Sequence, residues 1–198
     1  MANYLAKWRR YGALVVVAAL LHAAAPSLPA AATADAKIEI HYAPNEDLEQ
    51  IDVGLIDQAE RTIDMAAYVL SDQAVIEALN DAAERGVTIR LYLDKGQFAQ
   101  HGPRAGGRIE TLLSSPNVTA RVKGRGPLMH LKAYAVDGVK LRTGSGNFSR
   151  SGLFAQDNDL VLVDDPAAVS RFERDFDAIF SRAANPQAFG GRERAGPR

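Results

Sequence analysis

Cysteine is absent from this chain of 198 residues. Disulfide staples and thiolate-bound zinc are thereby excluded, and the fold must rest on a packed core. An excess of one charge is absent too, since 23 Lys and Arg face 24 Asp and Glu for a net of −1. That excludes a protein that coats a polyanion by bulk charge, so any phosphate recognition has to be local. No internal repeat is found, and histidine is scarce, with four in the chain. Nor does any apolar run reach the roughly 20 residues that span a bilayer. The one candidate, Gly12 to Ala25, is cut short by Pro26 and Pro29.

That run fits another purpose. Lys7, Arg9 and Arg10 precede it, and Ala30-Ala31-Ala32 or Ala34-Asp35-Ala36 follows as a small-residue cleavage site, the pattern of a secretory signal peptide. Residues 1–36 are expected to be removed on export to the periplasm or the exterior, a retained membrane anchor being the competing reading. Their loss takes Lys7, Arg9, Arg10 and Asp35 and leaves 20 basic and 23 acidic side chains, a net of −3. With 47% hydrophobic residues, the chain has core material for one domain, expected over 37–184. The Gly- and Arg-rich tail 185–198 is expected to be disordered.

Within 37–184 strand and helix patterns alternate. Lys37 to Tyr42 switches between polar and apolar at period two, as a half-buried strand does. Ile51, Ile56 and Ala59 mark a helix, and Thr62 to Leu70 an apolar strand. Val75, Ile76, Leu79, Ala82 and Ala83 form the buried face of a second helix, with Ser71 as its cap and Gly86 as its end. Val87 to Leu93 predicts a strand, and 94–107, rich in glycine and charge, a loop. A short helix over Arg108 to Leu113 and strands over Val118 to Val122 and Leu160 to Val163 follow. Asp165 before Pro166 starts a last helix, whose buried face is Val169, Phe172, Phe176, Ile179 and Phe180. The alternation predicts an α/β fold, a mixed, mostly parallel sheet with helices on both faces.

The segment 129–149, MHLKAYAVDGVKLRTGSGNFS, plants polar residues where a buried strand would place Val, Ile or Leu. Asp137-Gly138 separates two strand-like runs, a strong signal for a two-residue hairpin turn. Alternate strand residues share a face, so His130 and Lys132 point one way, as do Ser145 and Asn147, and the two pairs can meet on neighbouring segments. Asp137 has the wrong parity and is read as structural, with a nearby Arg as partner. Gly144 and Gly146 leave backbone room for a ligand. A lysine as point charge, Asn and Ser as donors, and an imidazole able to act as nucleophile or acid suit a phosphate. Arg121, Lys123, Arg125, Lys140, Arg142 and Arg150 form a local basic funnel around them or, equally, a solvated strand edge.

His130-x-Lys132-x4-Asp137-x6-Gly144-Ser145-x-Asn147 resembles the His-Lys-Asp signature of the phospholipase D superfamily. The likeness extends to Met65-Ala66-Ala67-Tyr68, Arg85-Gly86-Val87 and Gln156-Asp157-Asn158-Asp159. Among members the chain looks most similar to small exported bacterial endonucleases with one signature per chain. The resemblance implies a phospholipase D-like fold and a phosphodiesterase that uses neither metal nor cofactor. In it, His130 would attack phosphorus to form a phosphohistidine, Lys132 and Asn147 would hold the phosphate oxygens, and Ser145 would be a further substrate contact. It also implies a downstream carboxylate, usually Glu, that orients the histidine ring. Asp157 matches the local context for that role, and Asp159 is the alternative.

The implied mechanism needs one nucleophilic histidine and a second to protonate the leaving oxygen. His22, His41 and His101 all lack a lysine two residues on. A second copy of the chain is therefore expected to supply the missing group across a twofold axis, giving a homodimer with one composite active site. No metal is expected, because two copies of Lys132 can neutralise the charge. Nucleic acid is the expected substrate. Phospholipid, cardiolipin included, is the alternative, with Leu128, Met129, Leu153 and Phe154 as an apolar rim. A catalytically silent nucleic-acid-binding dimer is a third reading.

Overall fold

The computed structural model describes residues 36–188. The expected signal peptide, up to residue 35, and the tail from 189 onward lie outside the described residues. In chain order the elements are β1 (Ile38–Ala43), α1 (Leu48–Asp57), β2 (Thr62–Ala67), α2 (Gln73–Glu84), β3 (Thr88–Leu93), α3 (Lys95–His101) and α4 (Arg108–Ser114). They continue with β4 (Val118–Val122), β5 (Lys132–Val136), β6 (Lys140–Gly144), α5 (Arg150–Phe154), β7 (Asn158–Val163) and α6 (Pro166–Phe180). The strands form one sheet in the order β1-β7-β6-β5-β2-β3-β4.

The sheet is mixed, as expected, but the balance of directions is reversed. β2, β3 and β4 run parallel, whereas β1 with β7, β7 with β6, β6 with β5 and β5 with β2 are antiparallel. A parallel pair needs a long crossover, and only the first half of the chain has helices of that reach between its strands. From β5 onward the strands pair antiparallel, β5 with β6 through a tight turn and β6 with β7 across the connection 145–157 that carries α5.

Helices cover both faces. Leu48 and Ile56 of α1, Val75 and Leu79 of α2, Leu112 of α4 and Leu153 of α5 pack on Ile63, Met65, Ile89, Leu91 and Tyr134. On the opposite face, α6 sets Phe176 and Phe180 against Ala66 and Tyr92, and Val169 against Ala133, Ala135 and Leu141. Asp72, and not Ser71, caps α2 through the N–H groups of Ala74 and Val75. Gly86, at φ +94°, takes the left-handed conformation that ends the helix. The expected loop 94–107 contains α3, started by Asp94, which accepts from Gly96 and Gln97 N–H. α3 buries no residue, so it has no apolar period to announce it.

Residues 185–188, expected to belong to a disordered tail, are docked on β4. Val122 N–H donates to the Pro186 carbonyl and Ala188 N–H to the Ala120 carbonyl, both at 2.9 Å. Asn185 is buried, accepting from Gly124 N–H and donating to the Tyr92 hydroxyl and the Ile179 carbonyl. Composition concealed this, because backbone pairing asks little of side chains. Among the described residues no helix is long and apolar enough to cross a membrane.

Candidate active site

The β5–β6 hairpin carries the polar segment. Asp137 and Gly138 have φ of +55° and +70°, the left-handed pair of a type I′ turn, and Val139 N–H closes it on the Val136 carbonyl at 3.0 Å. Asp137 is structural: its carboxylate accepts the N–H groups of Glu60, Arg61 and Thr62, and its carbonyl accepts from the Arg61 guanidinium. Partial burial pushes this carboxyl up, but the three backbone donors prevail and hold it below the usual aspartate range. Pinned at its turn, the hairpin presents its open end where β2 and β3 terminate. That edge is where open α/β sheets bind ligands.

His130 lies there, exposed, just ahead of β5. The backbone fixes it from both sides, with Met129 N–H donating to Asp94 Oδ2 at 3.0 Å and Tyr68 N–H donating to the Leu131 carbonyl at 2.8 Å. Its ring meets the Tyr68 ring edge-on, centroids 4.5 Å apart. Lys132 touches the same ring, its Nζ 4.7 Å from the centroid, and donates to the His130 carbonyl at 2.8 Å. Histidine and lysine are thus brought together around Tyr68. Burial alone pushes the Lys132 ammonium below the usual lysine range, and no carboxylate pulls it back. A desolvated cation without a counter-ion favours an anionic ligand.

The second half of the segment flanks the same end of β2. Ser71 and Asp72 N–H both donate to the Phe148 carbonyl, at 2.8 and 3.0 Å. Beside it, Asn147 Oδ1 is buried with no protein partner; turning the amide over presents Nδ2 there instead. Ser145 is differently engaged. Its hydroxyl donates to Asn158 Oδ1 at 3.0 Å and accepts from Asp159 N–H at 2.9 Å, so its only proton is already used within the protein. Asp159 Oδ1 in turn accepts from Ser145 N–H, and the bonds with Ser145 hold its carboxyl below the usual range. Asp157 is exposed ahead of β7 and takes part in no hydrogen bond or ion pair among those of the described residues. Gly144 does not open space for a ligand, because a Cβ there would run into the Asp159 backbone carbonyl of β7.

Sequence reasoning missed the brace behind the site. Arg142, expected in the basic funnel, is fully buried in a two-pronged pair with Asp52 of α1, Nε to Oδ1 at 2.8 Å and Nη2 to Oδ2 at 2.9 Å. Its Nη1 donates to the carbonyls of Lys132 (3.0 Å) and Gly146 (3.3 Å), so one guanidinium ties the two halves of the segment together. Tyr134 adds its hydroxyl to Asp52 Oδ1 at 3.0 Å. The funnel thins further, because Lys140 pairs with Asp164 and Arg121 stacks on Phe180. Lys95 and Lys123 follow the ends of β3 and β4, with Arg125 just beyond, and Arg150 opens α5, stacked on Phe154. Among the described residues, no three His, Asp or Glu side chains converge as metal ligands do.

Comparison with known proteins gives this site a family. The family model described as cardiolipin synthase, PLD-like domain, matches residues 53–180. The mitochondrial cardiolipin hydrolase of Chlamydomonas reinhardtii is 23% identical over 122 residues, 62% of this chain and 52% of that protein. The chain therefore spans about half the length of that relative. The crystal structure of the phospholipase D family member Nuc from Salmonella typhimurium superposes with a TM-score of 0.67 at 22% identity, over 77% of this chain and 98% of that one. NucT from Helicobacter pylori gives 0.69 at 16% identity, over 77% and 99%. These two share the fold of this chain. The match over residues 53–180 takes in His130, Lys132 and Asn147, and the chain belongs to the phospholipase D-like family.

Proposed function

We propose that this chain is an exported, metal-independent endonuclease that acts as a homodimer through a phosphohistidine on His130. The observation that carries the proposal is the pairing of an exposed imidazole with a desolvated, carboxylate-free Lys132 on one tyrosine ring. An imidazole nitrogen attacks phosphorus, and a nitrogen–phosphorus bond forms as the phosphorus–oxygen bond to the leaving group breaks. The leaving oxygen takes a proton from the second copy's imidazolium. Water then attacks phosphorus, the nitrogen–phosphorus bond breaks, and the water proton passes to that second imidazole. Lys132 and Asn147 neutralise and hold the phosphate oxygens. Ser145 serves as a positioning residue for the Gly-Ser-Gly-Asn loop, and Asp157 is the carboxylate free to orient a histidine.

Lys95 and Lys123 past the ends of β3 and β4, with Arg125 and Arg150, support a nucleic acid backbone as substrate. One observation favours phospholipid instead: Leu128 and Leu131, on either side of His130, are 59% and 46% exposed. Of the apolar rim expected from sequence, Met129 and Leu153 are buried. The deciding experiment incubates the purified protein with plasmid DNA and with cardiolipin or phosphatidylcholine vesicles, each with and without EDTA. DNA cleavage that survives EDTA is expected. Hydrolysis of vesicles alone would transfer the proposal to phospholipid, activity restored only by Mg²⁺ would overturn the mechanism, and DNA binding without cleavage would leave a silent binder.

A further inference from the structure

A groove of about 380 Å³ runs between the start of α2 and the α3–α4 connection. Its polar lining is Ser71, Gln73, His101, Arg104 and Arg108, and it contains no carboxylate. The two neighbouring hollows on the same helices are the reverse. One is lined by Glu84 and Glu110, the other by Asp57, Glu77 and Asp81, and neither has a Lys, Arg or His. In a chain whose 23 basic and 24 acidic residues nearly balance, this sorting gives the groove, unlike those two hollows, a lining that attracts anions. Arg104 is exposed and has no salt-bridge partner among the described residues. Arg108 is held in place by Glu77 and by Gln73 Oε1.

The groove adjoins the active site across a narrow, mostly apolar crevice that has Asp94 in its wall. Tyr68, which touches the His130 ring, accepts from Gln97 Nε2 at 3.4 Å, and the Gln97 carbonyl is 3.3 Å from His101 Nδ1. His101 and Ile109 line both the crevice beside Tyr68 and the groove itself. A strand with its scissile phosphate at His130 therefore has a route past Gln97 and His101, one turn of α3 apart, toward Arg104 beyond the helix end. A lipid headgroup has no comparable need for a basic groove set apart from the reacting phosphate.

We infer that this groove, with Arg104 as its free cation and His101 and Gln73 beside it, is a binding site for a flanking phosphate of the nucleic acid strand. The inference rests on the endonuclease reading and adds a second, separable anion site to it. Affinity should therefore depend on the length of the strand, and on Arg104 in particular.

The test uses the full chain carrying His130→Ala, so that binding is read without cleavage. Fluorescence anisotropy with labelled oligothymidylates of about three and about 12 nucleotides, lengths on either side of a typical single-strand site, is followed across salt. Adding Arg104→Glu should weaken the longer strand about tenfold, shrink its advantage over the shorter one, and lower the salt slope by about one. Arg104→Lys should recover most of the loss. Arg174→Glu, an exposed charge reversal on α6, should leave the length dependence intact. Equal weakening of both strands, an undiminished length advantage, or the same effect from Arg174→Glu would overturn the inference and leave the endonuclease reading standing. Failure of the parent to bind either strand, with capture of cardiolipin vesicles instead, would overturn both.

Discussion

Lys132 and His130, two residues apart, occupy opposite environments, and substitution should separate what each does. His130 is exposed and contacts Tyr68, so His130→Ala should change stability by no more than about 1 kcal/mol. Turnover of a chromogenic phosphodiester should fall by at least about a hundredfold, as for a lost nucleophile or acid. Near-normal turnover by the folded variant would remove the covalent role. Lys132 is buried without a counter-ion, so Lys132→Met, which keeps the stem and drops the charge, should leave the urea midpoint unchanged or raise it while turnover collapses. Arg142 predicts the opposite sign. Arg142→Met strands the Asp52 carboxylate in the core and should cost about 3–5 kcal/mol, measured by urea unfolding. Adding Asp52→Leu should restore much of that stability but not the activity, since the carbonyls of Lys132 and Gly146 still lack their shared donor.

Helix α1 meets the start of α2 through two carboxyls. Burial, then the neighbouring Asp72 carboxyl, pushes Glu49 up to about 7. Unfolded, a glutamate titrates near about 4.3. A carboxyl whose pKa is higher when folded binds protons more tightly in the native state. Its contribution is therefore complete below the unfolded pKa and is lost as pH rises through the folded one. Thermal stability should decline between about pH 4.3 and 7, and Glu49→Gln should flatten that decline; an unchanged slope in the variant would count against the assignment. Glu49 was invisible in the sequence because its partner is set by helix packing. The hairpin, by contrast, was legible, since Asp137-Gly138 encodes its turn locally and Asp137 was recognised as structural from parity. The direction of β5 against β2 was not, because nothing in either strand states which way its neighbour runs. Arg142 misled for a related reason. Lys140-x-Arg142 alternates like a solvated edge, and the carboxylate that draws the guanidinium inward is Asp52, on a helix far upstream. His130, Lys132 and Asn147 were legible as a set because their spacing is part of a motif. Tyr68, which brings the first two together, stood in the sequence within an apolar strand and in the Met65-Ala66-Ala67-Tyr68 likeness, with no role of its own.

For the molecule as a whole, the scarcity of histidine makes the composite site testable. A mixed dimer of one wild-type chain and one His130→Ala chain has a nucleophile or an acid but never both. Co-expressed with different tags and purified, it should be slower than wild type by about a hundredfold or more, whereas about half the wild-type activity would mean independent sites. The sheet also imposes an order on its own assembly. Its first strand pairs only with its last, Ile38 opposite Val163, while β2, β3 and β4 are near neighbours in the chain. During synthesis β1 has no partner until nearly the whole domain has emerged, and its backbone stays open to proteases meanwhile. Ribosome-bound chains halted before Asn158 should be trimmed at β1, and protection there should arrive in one step once Val163 has left the exit tunnel.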